Sequence, residues 1–156
     1  MHAALLAVAR DWVNSASARP AGDAFGLVEL RRATSNAYYA LFHAIAAEAA
    51  DLLAGPGSPH WARVYRSPDH KRCKSECLKA ARPKSGHSVP IAACANSFAS
   101  LQDERHKADY DPLWTTNPLA AATQIDAAER AISDLKASSE PERRAFVLCL
   151  LFQERP

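Results

Sequence analysis

Four residue types that rarely line up by accident stand in register. Arg32, Asn36, Tyr39 and His43 occupy i, i+4, i+7 and i+11. At 100° per residue they fall within about 60° of one another, on one stripe of a helix. A cation, an amide, a phenol and an imidazole in a line can hold an anionic, stackable ligand. A plain solvent-facing stripe would more often carry Lys and Glu. Arg105 is out of place in another way. It continues the apolar seam of Ile91, Cys94, Phe98 and Leu101 instead of facing away from it. A guanidinium drawn inward must be paired, because an unpaired buried charge costs several kcal/mol. Asp109, four residues on, is one candidate partner. An acid elsewhere in the bundle is another, and a phosphate gripped bidentately in a cleft is the alternative to both. His106 follows Arg105, about 100° round the helix.

A third group is a block of charge. Residues 63–84 hold Arg63, Arg66, Lys71, Arg72, Lys74, Lys79, Arg82 and Lys84 against Asp69 and Glu76, while the whole chain carries only +2. A basic block on a mildly acidic body is either a footprint for a polyanion or a solvated face. Trp61 and Tyr65 lie among these cations. They either stack on unpaired bases, with Arg63, Arg66, Lys71, Arg72 and Lys74 on the phosphates, or plug the segment onto the bundle. His70, Cys73 and Cys77 share one helix face, with His87 or Cys94 as a conceivable fourth ligand. The spacing lacks paired zinc knuckles and the surrounding cations oppose a metal, so no metal site is expected.

These residues need helices to position them. Every periodic stretch has the helical period, and Ala is abundant where Val and Ile are few. The spacing predicts a helix over 2–18, with Leu5, Leu6, Val8, Trp12 and Val13 on its apolar face. Asp23 caps a long second helix over about 24–54, whose seam is Leu30, Thr34, Ala37, Leu41 and Ile45. Three prolines make 56–69 a loop. A basic helix follows over about 69–81, then one over 89–109 closed by Asp111-Pro112. Residues 117–137 make another, with Leu119, Ile125, Ile132 and Leu135 inward. Ser139-Glu140-Pro141 starts a last helix to about 152. Its AFVLCLLF run is apolar nearly all round and must be buried, in its own core or a partner's.

The expected architecture is an all-α bundle of about five to six helices in one domain, with a core over 24–137 and an added C-terminal helix. At 156 residues, two independent cores would each be marginal. No apolar run reaches the ~20 residues of a membrane span. The first residues do not read as a signal peptide, and four cysteines are too few for a disulfide scaffold, so a reducing cytoplasm is the expected setting. No Gly-rich phosphate loop, Gly-x-Ser-x-Gly elbow or His-Glu-x-x-His occurs, and no cofactor is expected.

RRATSNAYYALFHA (31–44) followed by LQDERHKADYDP (101–112) resembles the HEPN superfamily (higher eukaryotes and prokaryotes nucleotide-binding), most closely its small bacterial branch. Helix order and spacing extend the likeness over roughly 25–137. The resemblance implies an up-down helical bundle that dimerises. It also implies a metal-independent endoribonuclease of a toxin–antitoxin or phage-defence system, with RNA as partner and Arg105 stabilising the phosphate. The alternative is a catalytically silent module that binds nucleic acid, nucleotide or a protein such as an antitoxin or nucleotidyltransferase. The family pattern places His after Arg with four to six residues between. Here Tyr110 stands at the first of those positions and no His fills the window. A phenol is a poor base near neutrality. His106, swung in at a frayed helix end, or His43 from the second helix would then have to supply the imidazole.

Overall fold

The computed structural model describes residues 1–152. Among them the chain forms seven helices and no strand: α1 (His2–Ser17), α2 (Ala24–Leu53), α3 (Trp61–Tyr65), α4 (His70–Ala80), α5 (Val89–Tyr110), α6 (Pro118–Ala137) and α7 (Glu140–Leu151). The boundaries are set by local chemistry. The Asp23 carboxylate accepts from Gly26 N at 2.8 Å, Asp69 from Arg72 N at 2.8 Å, and the Asn117 side chain from Ala120 N at 2.9 Å. Each satisfies a donor that the first helical turn leaves unpaired. Glu142 accepts from both the backbone N–H and the hydroxyl of Ser139, at 2.9 and 2.6 Å, which opens α7. Asp111 ends α5 in extended backbone because Pro112 follows.

The bundle is assembled around α2, which packs on α1, α5 and α6 and also meets α3 and α7. Its seam of Leu30, Thr34, Ala37, Leu41 and Ile45 is buried, as are Ile91, Cys94, Phe98 and Leu101 of α5. Alanines at 33, 40, 44, 46, 49 and 50 are buried too, so beyond its first turns α2 has almost no free side. Small side chains let several helices approach one rod closely, which an apolar seam alone does not reveal. The buried cluster also takes in α1 through Leu6, Ala9, Val13 and Ala16, and α7 through Phe146 and Leu150. The core therefore reaches beyond 24–137 at both ends.

Four expectations are corrected. The loop over 56–69 contains a short helix, α3. Leu119 does not point inward: it is 78% exposed, because it lies in the first turn of α6, ahead of the part that packs. Val8 is likewise exposed. The AFVLCLLF helix is not buried all round. Phe146, Val147 and Leu150 face its own bundle, while Leu148 and Phe152 are exposed. No helix among the described residues is long and apolar enough to cross a membrane.

Candidate nucleic-acid interface

The site is built where the end of α5 meets the first half of α2. Arg105 lies one and a half turns from the end of α5 and reaches across to α2. Its Nη2 donates to Tyr39 Oη at 2.5 Å and, more weakly, to Tyr110 Oη at 3.4 Å. The guanidinium carbon stands 5.2 Å from the ring centres of both tyrosines. Its Nε is 2.7 Å from Asp109 Oδ2, a charge contact whose N–H does not line up on the oxygen. The Arg105 side chain is 20% exposed. The inward guanidinium thus has the intramolecular partner that the spacing suggested, and a phenol on each side as well. Burial works against its charge, but Tyr39, Asp109 and Tyr110 outweigh burial and raise its pKa. It is a fixed, permanent cation.

The same guanidinium lines an open groove of about 510 Å³, with Arg31, Arg32, Ser35, Tyr39 and Tyr110 among the other walls. Arg32 is exposed and makes no ion pair there. Arg31 has a different task, one the sequence reading did not single out. It donates to the carbonyls of Ala108 (2.8 Å), Asp111 (2.6 Å) and Trp114 (2.9 Å). These include carbonyls that the end of α5 leaves unpaired, so Arg31 ties the ADYDP turn to α2. Ser35 is buried at the groove wall. Asn36 is half-buried and lies outside the groove lining. The four-residue stripe is thus divided: Arg32 and Tyr39 face the groove, and His43 lies beyond Tyr39.

Two imidazoles adjoin Tyr39. His43 is stacked with Tyr39 (6.3 Å between ring centres) and with Tyr65 (5.8 Å), and its Nδ1 is 2.8 Å from Tyr65 Oη. His70, the first residue of α4, stacks on Phe42 at 4.1 Å and sets its edge against Tyr39 at 6.1 Å. Its Nδ1 is 2.6 Å from the hydroxyl of Tyr38. Burial lowers the pKa of both. His70 is lowered further by the Arg105 charge, and His43 by His70 and the amino terminus. Their surroundings therefore favour the neutral imidazole in each. His106 does not swing in. It stays exposed on the outer side of α5, 5.0 Å from the Tyr110 ring. His70 was grouped with the cysteines by spacing alone. The signal for its real setting is the Tyr38-Tyr39 pair: one of two adjacent phenols must point inward, and a buried hydroxyl needs a partner.

The basic segment is less uniform than its composition. Arg72 donates its Nε to the carbonyl of Leu150 at 3.0 Å, near the end of α7, and Lys74 is paired with Asp103 of α5. These two cations hold helices together. Arg63, Arg66 and Lys71 are exposed without an anionic partner. Trp61 stacks on Tyr65 at 4.8 Å and donates Nε1–H to Asp51 at 2.7 Å, while Tyr65 reaches His43. The pair plugs α3 onto α2. A larger cleft of about 1030 Å³ runs beside α4, lined by Lys71, Lys79, Arg82 and Lys84 among others. Cys73 and Cys77 are core residues on the face of α4 that looks inward, and burial pushes the Cys73 thiol up to about 11. Among the described residues, no group of three or more His, Cys, Asp or Glu is placed to hold a metal ion. Compared with protein-family models, curated proteins and solved structures, the chain matches none.

Proposed function

We propose that this chain is a HEPN-type ribonuclease that grips the RNA backbone at the Arg105 groove and cuts it without a metal. The observation that carries the reading is a guanidinium clamped between two phenols at the wall of an open groove, with a neutral imidazole stacked on one of those phenols. A cation that is already oriented can meet charge as it develops on a phosphoryl oxygen at no cost of reorganisation. His43 supplies the imidazole that the sequence lacks after Arg105. Its Nε2 takes the proton of the ribose 2′-hydroxyl. The 2′-oxygen bonds to phosphorus, the bond from phosphorus to the 5′-oxygen breaks, and that oxygen takes a proton from water. A 2′,3′-cyclic phosphate and a 5′-hydroxyl end result.

The test is incubation of the purified protein with a short single-stranded RNA in EDTA, beside Arg105→Ala. Cleavage by the parent, and a loss of about 10²-fold or more in the variant, supports the reading. A folded parent that leaves the RNA intact overturns it. The resemblance also makes the working unit a dimer. Val28, exposed on α2, stands with Tyr110 at the groove wall, where a second copy would cover them. Light scattering at micromolar concentration should show two copies; a monomer removes the shared site. The same wall favours a second reading, a catalytically silent module that docks an antitoxin or a nucleotidyltransferase. Binding of RNA without cleavage would select it.

A further inference from the structure

We propose that His70 is a tautomer-locked hydrogen-bond donor to an anionic phosphoryl oxygen, held by Tyr38 and acting beside Arg105. The inference rests on the ribonuclease reading, deepens the same site, and begins from proton counting in the core. Tyr38 has no exposed surface, and its hydroxyl has one hydrogen-bond partner, His70 Nδ1 at 2.6 Å. If Nδ1 carried the proton and donated, the phenol's own proton would be left in the core with nothing to bind, at a cost of about 1–3 kcal/mol. The arrangement that satisfies both groups has Tyr38 donating O–H to a bare Nδ1. The ring proton then sits on Nε2, the nitrogen not turned to the core.

Two further contacts hold the ring in place. The 4.1 Å stack on Phe42 fixes its plane, and Asp69 caps the helix that His70 begins. The Tyr39 ring links His70 to Arg105, its centre 6.1 Å from the His70 ring and 5.2 Å from the guanidinium carbon, and Asp69 lies in the turn before α4. Tyr38, Tyr39 and His43 face His70 from α2, and of these groups only Asp69 favours an imidazolium. Adding a proton at Nδ1 would also displace the Tyr38 hydroxyl. His70 therefore cannot shuttle protons readily; it presents a neutral N–H, and His43 is left as the base. A neutral donor beside a guanidinium suits the phosphodiester, because it adds a hydrogen bond without a second like charge next to Arg105. Tyr38 is the positioning residue.

The experiment compares His70→Ala, His70→Gln and Tyr38→Phe, with His60→Gln as an off-site control, on a short single-stranded RNA in EDTA. Folding is checked by circular dichroism, and the histidine nitrogens are observed by ¹⁵N NMR. A glutamine amide can donate in place of Nε2–H but cannot transfer protons. His70→Ala should lose about 10²-fold in cleavage, and His70→Gln should recover to within about tenfold of the parent. The parent's His70 should show the neutral Nε2–H signature at pH 7, and Tyr38→Phe should raise its pKa. If His70→Gln is no better than His70→Ala, or if the spectrum shows Nδ1–H, the donor role is overturned, while loss of cleavage in Arg105→Ala would still support the ribonuclease. If the parent leaves RNA intact, that reading fails, and inorganic phosphate becomes the probe. A phosphate-dependent shift of the His70 Nε2–H resonance, absent in Arg105→Ala, supports the donor; no shift overturns it.

Discussion

Two regions carry cations that sequence alone made equal candidates for an anionic partner: the end of α5 and the segment 63–84. They differ in what holds the charge. At the end of α5 a single guanidinium is pinned by Tyr39, Tyr110 and Asp109. In the basic segment the charges divide between structural ties, such as Arg72 to Leu150 and Lys74 to Asp103, and exposed side chains without an anionic partner, such as Arg63, Arg66 and Lys71. Charge density was highest where geometry is loosest. A loose cation attracts a polyanion at long range but pays side-chain entropy when it makes a contact. A pinned one has little freedom left to lose, so it can discriminate between states of the phosphate.

The sharpest way to break this contrast is Arg105→Lys, which keeps the charge and removes the flat group that fits between two phenols. Cleavage should fall by about 10²-fold, close to the alanine variant. Full activity in the lysine variant would show that charge alone matters and would erase the distinction. A smaller effect is expected from replacing Arg63, Arg66 and Lys71 together by Ala. RNA affinity at low salt should weaken by about tenfold, and the plot of log affinity against log salt should flatten. The cleavage rate of bound RNA should stay the same. A collapse of that rate would move the active centre toward α4.

The smallest effect concerns stability. His43 and His70 have folded pKa values below their ordinary value of 6.5, burial being the first cause in each. The unfolded chain therefore takes up protons first as pH falls. Their contribution is complete above about pH 6.5 and declines as pH drops through 6.5 toward the folded values. Thermal midpoints should fall between pH 7.5 and 5.5, and fall less in a His43→Gln, His70→Gln double variant. Equal losses in parent and variant would assign the acid sensitivity to other groups.

Much of the fold could be read ahead because its signals are local. Asp23, Asn117, Ser139 and Pro112 mark helix ends by chemistry within a turn of the boundary, and the observed helices begin and end close to where those residues placed them. The short α3 escaped because prolines at 59 and 68 flank it and five residues show no period. Leu119 and Phe152 were misjudged because apolarity reports a preference for burial and not whether a neighbour is there to satisfy it.

The site was legible only in part. The inward turn of Arg105 followed from helical spacing, which offered Asp109 as one of several candidate partners, since i and i+4 meet on any helix. What no spacing could convey is which residues of other helices arrive beside it. Tyr39, Arg31 and His70 come from elements separated from Arg105 by tens of residues, and only packing of α2, α4 and α5 brings them together. The amino-acid order on its own placed six of the seven helices, most of their ends and the buried seams of α2 and α5, because those depend on interactions within a few residues. The tertiary structure decided which cations are tied to other helices and which partner the buried Tyr38 hydroxyl meets, because those depend on long-range neighbours that desolvate the groups and complete their hydrogen bonds.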